Sequence, residues 1–526
     1  MEHLELVVLG LLLATAALAV LARLIGVPYP ITLVLGGCVI GFVPGLPDVE
    51  LDPDLVLLLF LPPLLYGAAF FTSLRDLRAN ARPIALLSIG LVFVTMGAVA
   101  IVAHEVIGLG WGESFVLGAV VSPTDAVAPA EILRRLGAPR RLQTIIEGEN
   151  LTNDWTALVL YSFAVAAVVT GSFSFGEAVF RFFVNGIGGL LIGLAAGWLI
   201  REVRSRVNDP PTEITISLLS GYAAYIPAEE LGLSGVIAAV TVGVYMGWHT
   251  PELTTPVMRM QGVAVWEILM FLLNAVLFLL VGLQLPTVLD DISGFSGAEL
   301  VGWGLLVSAV VIVVRLAWGF TVVYLVRALD RRPSQRARRT PARERLVAGW
   351  AGMRGSVALA AALAIPFETD AGAPFPERDL LIFLAFAVIL VTLVGQGLTL
   401  GPLINRLGIS DDGTEQEEEV HARVRIAEAA LLRLEEVSGD GWAREDTLER
   451  VRGLYDYRRR RFSAQVDGGD GAQYEERTDA YRRLMYELYD AQREELLALR
   501  NRREISDEVR RRVERELDLE ETRLQA

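Results

Sequence analysis

Lysine is absent from this 526-residue sequence; all 47 basic residues are arginine. No lysine amine is available to share proton traffic with carboxylates, and every fixed positive charge is a guanidinium that stays protonated. Cysteine is almost absent too: the single Cys38 excludes an internal disulfide and any cysteine-based metal site. The four histidines are scattered without ligand spacing, so no resident metal or other cofactor is expected. No basic flank precedes the first apolar run, which reads residues 4–25 as a retained span rather than a cleaved signal peptide. No nucleophile–base pair, metal cluster or phosphate loop supports an enzyme. The formal net charge of −15 removes nucleic acid from the expected partners.

What is abundant is apolar sequence. Hydrophobic residues make up 53% of the chain, mean hydropathy is +0.45, and apolar runs recur up to residue 405. Within lipid a helix satisfies all of its backbone groups internally. The expected fold is therefore an all-α polytopic membrane protein embedded in the lipid bilayer, with about 13 transmembrane helices. They fall near residues 4–25, 31–46, 54–72, 83–107, 112–132, 142–169, 178–201, 212–229, 233–249, 262–285, 298–326, 343–366 and 378–404. Loop charges orient this map. Arg75, Arg78 and Arg82, then Arg134, Arg135, Arg140 and Arg141, then Arg201, Arg204 and Arg206, and the cluster from Arg327 to Arg345 fall on one side. Asp48, Glu50, Asp52 and Asp54, Glu113, Asp290 and Asp291, and Glu368, Asp370 and Glu377 fall on the other. The positive-inside rule then puts the N-terminus outside and the C-terminus in the cytoplasm.

Spans 1–6 and 8–13 run in opposite directions, as an inverted repeat would. The fifth span of each set is interrupted, one at Val121-Ser122-Pro123-Thr124-Asp125-Ala126 and the other at Ala351-Gly352-Met353-Arg354-Gly355-Ser356. Proline removes a backbone donor and disfavours helix before it; paired glycines loosen the other segment. Ordinary kinks are the bland alternative. Broken helices at corresponding positions of inverted halves point instead to a midplane binding site in a secondary transporter. Composition changes after Arg406, so the chain divides into a membrane domain, 1–407, and a charged, mostly helical cytoplasmic tail, 408–526. The tail carries 22 Arg against 31 Asp plus Glu. It opens on an acidic linker at 411–419 and breaks at Asp467-Gly468-Gly469-Asp470-Gly471. Ile505, Val509, Val513 and Leu517 recur every four residues, as on an amphipathic helix that regulates transport or assists assembly, or on a merely solvated helical pair.

The sixth span carries the densest polar sequence, Glu147 through Trp155. Helical spacing puts Glu147, Asn150 and Asp154 on one face, with Glu149 and Asn153 on another side. Asp154 falls roughly 18–20 Å into the membrane, near the midplane. Ionisable groups at that depth usually mark an ion or proton pathway, the alternative being a polar clamp between helices. Asp154 supplies the negative charge of a monovalent-cation site; Asn150, Thr124 and Ser122 offer neutral oxygens, and carbonyls freed near Pro123 add more. A carboxylate held away from bulk water resists standing as a bare anion, so it holds a proton or a cation but hardly both. That competition produces exchange. Asp125 is expected to balance the interrupted helix ends. Arg354 needs a partner in the membrane, for which Glu149 is the candidate; Glu147 belongs near the cytoplasmic funnel. Arg315 is a second intramembrane arginine with no evident partner.

The motifs SPTDAVAP (122–129), EGENLTND (147–154), FLLNAVLFLLVGLQL (271–285) and GMRGSVALA (352–360) together resemble the bacterial sodium/proton antiporters of the monovalent cation/proton antiporter family. LPPLLYGAAF (61–70) and AEELGLSG (228–235) are similar to that family's third and eighth spans, and the resemblance extends over about 5–405. It implies a thirteen-span inverted repeat whose interrupted helices cross. It implies a core moving against scaffold helices that form a homodimer, and proton-coupled cation export across a bacterial plasma (inner) membrane. By resemblance the Asn-Asp pair is Asn153-Asp154, the cation ligands are Thr124, Asn150 and Asp154, and the structural acid–arginine pair is Glu149 and Arg354. Asn274 and Glu229 are further intramembrane polar positions within these motifs. The sequence departs from the family at Gly67, where many members carry an acid, and at Asn150, where many carry serine. Members expected to move two protons per sodium carry paired aspartates and a core lysine, which this chain lacks. The expected activity is electroneutral exchange of sodium, and lithium, for protons in sodium and pH homeostasis. Potassium/proton exchange on the same scaffold is the alternative; a channel or transport-like sensor is the reading from another class, disfavoured because the polar residues concentrate near the midplane.

Overall fold

Apolar runs with no water to satisfy their backbone become helices, and nearly all regular structure in this chain is helical. The computed structural model describes every residue except Met1, 45–52, 173, 291, 293, 330–339, 412, 440–441, 468–470 and 526. Asp48, Glu50, Asp52, Asp291, the arginines at 331–339 and Gly468, Gly469 and Asp470 of the 467–471 break therefore lie outside the described residues. The described regular structure is helix apart from one β-bridge, Glu368 to Pro374.

The chain divides into two compact units, Met1–Asp411 and Asp412–Ala526. The first contains α1 (Glu2–Ile25), α2 (Tyr29–Gly41), α3 (Pro53–Phe71), α4 (Leu74–Ala79) and α5 (Ala81–Ile107). There follow α6 (Trp111–Val120), α7 (Val127–Arg135), α8 (Arg140–Thr170), α9 (Phe175–Arg204), α10 (Pro210–Glu230), α11 (Gly235–Leu253) and α12 (Pro256–Leu283). The unit closes with α13 (Leu285–Asp290), α14 (Gly297–Leu329), α15 (Ala342–Trp350), α16 (Ser356–Leu363) and α17 (Arg378–Leu407). A helix lies on each of the thirteen expected segments. Among the described residues six are long and apolar enough to cross a membrane: Ala81–Ile107, Arg140–Thr170, Phe175–Arg204, Pro256–Asp290, Gly297–Val322 and Arg378–Leu407. Two of these contain π-helical turns that the sequence did not announce, Leu86–Leu91 and Ala103–Ile107 in α5 and Val391–Gln396 in α17. Single π turns inside α-helices frequently sit at functional sites.

The helices sort into two packing groups. α3, α9, α10 and α11 pack chiefly on one another, as do α5, α6, α8, α14, α15 and α17, while α2 lies along α12. The α2–α12 approach is close because Gly37 and Gly282 face each other: a Cβ on either would overlap backbone of the opposing helix. The large apolar core belongs to the second group and to α2 and α12.

Two helices are broken where proline and glycine foretold it. α6 ends at Val120 and α7 begins at Val127; α15 ends at Trp350 and α16 begins at Ser356. The non-helical segments bond to each other. The Asp125 amide donates to Met353 O at 2.8 Å, and Arg354 Nε donates to Val121 O at 2.9 Å. At Gly355 a Cβ would overlap the Asp125 carboxylate, so glycine is what permits this approach.

The second unit contains α18 (Thr414–Ser438), α19 (Glu445–Asp467), α20 (Gly471–Asn501) and α21 (Asp507–Gln525). α18 pairs with α19 and α20 with α21. In the second pair Arg493 donates to Asp518 at 2.9 Å and also bonds Glu521. Of the expected stripe, Leu517 is buried near these bonds, Val509 and Val513 are exposed, and Ile505 precedes the helix.

Candidate functional site

α8 carries its polar residues past the crossing of the two broken segments. Both broken segments free backbone groups that a continuous helix would have paired, and those groups need partners. At the C-terminal end of α6 the partner is Arg354. Its guanidinium donates to Val121 O, to Ser122 O at 3.4 Å and to Gly352 O, and its own amide donates to Thr392 Oγ1 at 3.1 Å, on the π turn of α17. At the N-terminal end of α7 the partners are acceptors. Asp125 Oδ1 accepts from the Val127 amide at 2.8 Å, and Asn150 Oδ1 accepts from the Ala126 amide at 3.1 Å. A cation thus lies at helix C-terminal carbonyls and an anion at helix N-terminal amides, as the helix dipole favours.

The ion pair of Glu149 is not the expected one. Its partner is Arg315 of α14, not Arg354. Arg315 Nη1 donates to Glu149 Oε1 at 2.5 Å and Nη2 to Oε2 at 2.8 Å, a fork-to-fork pair with both side chains almost wholly buried. Nη2 also reaches Ala348 O at 3.2 Å. Arg315 runs close over the second break: a Cβ at Gly352 would overlap its side chain. The physical reason is supply and demand. Arg354 lies inside a break rich in unpaired carbonyls, which take its donors, whereas Arg315 emerges from an unbroken helix whose carbonyls are already bonded.

From this pair a chain of hydrogen bonds runs toward Asp154. Thr124 Oγ1 donates to Glu149 Oε1 at 3.1 Å; Asn153 Nδ2 donates to Thr124 Oγ1 at 2.8 Å and to Thr124 O at 3.2 Å. Asn153 Oδ1 is buried and has no partner among the described residues. Asp154 itself is 5% exposed, and no described residue donates a hydrogen bond or ion pair to its carboxylate. Asp125 is near enough to interact with it electrostatically. The site therefore holds two kinds of buried carboxylate: Glu149, neutralised by a bidentate arginine, and Asp154, left without a partner. A bare unpartnered carboxylate in such a place is costly, so a proton or a cation is what it can hold.

The structure thus brings together Thr124, Asp125, Glu149, Asn150, Asn153, Arg315 and Arg354. Other expected residues are used elsewhere. The Ser122 hydroxyl donates to Gly118 O at 2.5 Å and Val92 O at 3.3 Å, tying the break to α5. Glu147 is 4.0 Å from Arg134, half-exposed at the edge. Asn274 Nδ2 bonds Met270 O of its own helix, and Glu229 Oε1 accepts from the Gly235 amide in the α10–α11 turn. Gly67 lies under Trp266 and Met270: a Cβ there would meet Met270 Sδ at 2.6 Å and Trp266 at 3.2 Å. The volume that a longer residue would occupy is filled by an aromatic and a thioether. Among the described residues no group of three or more His, Cys, Asp or Glu could hold a metal ion.

Sequence reasoning missed a second buried ion pair, Arg204 with Glu213, which joins the last turn of α9 to the first of α10. The signal was available: an arginine and a glutamate flank Asp209-Pro210-Pro211, a short loop that folds the two ends together.

Residues 10–406 match the family described as "Sodium/hydrogen exchanger, transmembrane". The chain is 38% identical over 524 residues to the uncharacterized Na(+)/H(+) exchanger Rv2287 of Mycobacterium tuberculosis (strain H37Rv), covering 98% of this chain and 96% of that one. It is 32% identical over 445 residues to the sodium, potassium, lithium and rubidium/H(+) antiporter of Bacillus pumilus, covering 82% of this chain and 66% of that one. In fold it is similar to the sodium proton antiporter MjNhaP1 of Methanocaldococcus jannaschii at pH 8. The TM-score is 0.61 at 19% identity, covering 77% of this chain and 99% of that one.

Proposed function

The chain belongs to the sodium/hydrogen exchanger family, a family of membrane cation/proton antiporters and not of enzymes, and on that basis we propose that it exchanges sodium for protons, one for one, at Asp154. The observation that carries this reading is the contrast between the two buried acids of α8. Glu149 is held by Arg315 in a buried bidentate pair, whereas Asp154 has no partner among the described residues. Asn150 lies one helical turn before Asp154, the Thr124 hydroxyl accepts from the adjacent Asn153, and Asn153 Oδ1 is a further buried acceptor without a donor among the described residues. Asp125 has one oxygen committed to the start of α7, which suits a charge that balances helix ends rather than one that shuttles protons.

With one carboxylate loading either a proton or a monovalent cation, no net charge moves per cycle. Exchange then requires the site to face each side of the membrane in turn, with the loaded forms crossing and the bare anion not. In this reading Arg354, Arg315 and Glu149 hold the crossing rigid, residues 1–407 are the transporting domain, and residues 408–526 are a cytoplasmic tail. The protein sits as a homodimer in a bacterial inner membrane with its N-terminus outside, and serves sodium and pH homeostasis. Potassium/proton exchange is the second reading, favoured by the Bacillus pumilus relative, whose name includes potassium, lithium and rubidium.

The test is proton flux in proteoliposomes driven by sodium, lithium or potassium. Sodium and lithium are expected to drive proton movement well above potassium. A larger potassium response would replace sodium as the substrate, and no response to any of the three would sink the exchange reading.

A further inference from the structure

Trp155 follows Asp154 on α8, 100° round the helix, and it is one of the points, with Val159, where the Asp154 helix meets the other packing group. Its ring lies 4.5 Å, centroid to centroid, from Phe182 of α9. A Cβ at Gly186, one turn further along α9, would sit 2.7 Å from the indole edge, so the indole rests directly on α9 backbone. Trp155 belongs to one buried apolar cluster with Leu61 and Leu65 of α3, Tyr225 of α10, and Val236 and Ala239 of α11. The contact is one of shape alone: the indole N–H is buried without a partner among the described residues. A buried tryptophan usually finds an acceptor; a seat without one can be left without breaking a polar bond.

α9 is fixed further along the same face, which carries Gly189 and Gly193 as well as Gly186. At Gly189 a Cβ would overlap Ser234 O, and at Gly193 it would lie 2.6 Å from Ala238 O, so α9 and α11 are locked backbone to backbone. Gly186, at the start of that face, meets the Trp155 indole of α8 instead. Close-packed contacts of this kind have discrete arrangements rather than a continuous range.

We propose that Trp155 is a positioning residue: seated on Gly186 and Phe182, it sets the register of α8, and with it the height of Asp154, against α3, α9, α10 and α11. A helix is stiff over one residue, so whatever moves Trp155 along α9 moves the Asp154 backbone equally. This rests on the exchange reading above, in which Asp154 is presented to the two sides in turn. The indole touches neither cation nor proton, so its effect falls on turnover and not on binding.

The experiment uses the full chain in proteoliposomes, measuring sodium KM and maximal rate, with sodium-induced thermal stabilisation in detergent as a binding readout independent of transport. Gly186→Ala and Trp155→Ala are each expected to lower the maximal rate about tenfold with sodium KM within about twofold. Adding Trp155→Phe to Gly186→Ala, which returns the space the new methyl takes, is expected to restore the rate to within about threefold of wild type. Gly176→Ala, on the same helix but in open space, should leave transport unchanged. If Gly186→Ala does not yield monodisperse protein, the comparison of Trp155→Phe, retaining transport, with Trp155→Ala, losing it, decides. Wild-type rates for Gly186→Ala and Trp155→Ala, failure of the double variant to recover, or a KM that moves as far as the rate would overturn the proposal while exchange by the wild type stands. No exchange by the wild type would instead sink the exchange reading, and this proposal with it.

Discussion

Removing one partner of the Glu149–Arg315 pair should unsettle this protein more than almost any other single change. Both side chains are about 2% exposed and joined by two hydrogen bonds of 2.5 and 2.8 Å. Glu149→Gln leaves a buried guanidinium uncompensated, and Arg315→Met leaves a buried carboxylate; each should cost roughly 3–5 kcal/mol. The double variant has no buried charge left over. It should therefore lose little more than either single variant, giving a coupling energy of about 3 kcal/mol or more. The same cycle run with Glu149→Gln and Arg354→Gln should give a coupling under about 1 kcal/mol, because the Arg354 donors go to carbonyls rather than to Glu149. Unfolding in mixed micelles, followed by tryptophan fluorescence, measures all five variants on one scale. A larger coupling for Glu149 with Arg354 than with Arg315 would refute the assignment of the pair and restore the partner expected from the motif resemblance.

Arg204→Gln should lower the thermal midpoint in detergent by leaving Glu213 buried and unpaired; a midpoint equal to wild type would show the α9–α10 clamp to be idle. Gly67→Ala should cost about 1–3 kcal/mol through overpacking against Met270 and Trp266, read as a lower midpoint, and an unchanged midpoint would mean that the pair yields freely. Gly355→Ala should abolish exchange and lower stability together, since its Cβ meets the Asp125 carboxylate at the crossing; normal flux would contradict the closeness of the two breaks. Exchange at a fixed pH gradient should not follow an imposed voltage. A dependence on voltage would bring Asp125 in as a second proton carrier.

The architecture was largely legible because membrane sequence has few ways to satisfy a backbone. The two breaks could be read from Pro123 and from Gly352 and Gly355, since proline lacks a donor and glycine admits a neighbour's side chain. Asp154 could be picked out by depth and helical face. What could not be read was which donor each acceptor takes. Two arginines, Arg315 and Arg354, compete for one glutamate, and only the crossing decides, by offering Arg354 the carbonyls of Val121, Ser122 and Gly352. Nor could it be read that the Ser122 hydroxyl donates to carbonyls of α6 and α5. The π turn that carries Thr392 to the Arg354 amide has no sequence signature, because its extra residue is accommodated by packing. That Gly186 lies beneath Trp155 has no local sequence signal, because the two are on different helices brought together by packing.

The central claim is that Asp154 is the carboxylate on which proton and cation exchange places. Sodium-driven proton flux in proteoliposomes carrying wild-type protein or Asp154→Asn, with reconstitution matched and folding checked by thermal midpoint, tests it most directly. The wild type should exchange, and Asp154→Asn should remain folded and carry no sodium-dependent proton flux. Flux through Asp154→Asn at the wild-type rate would contradict the account.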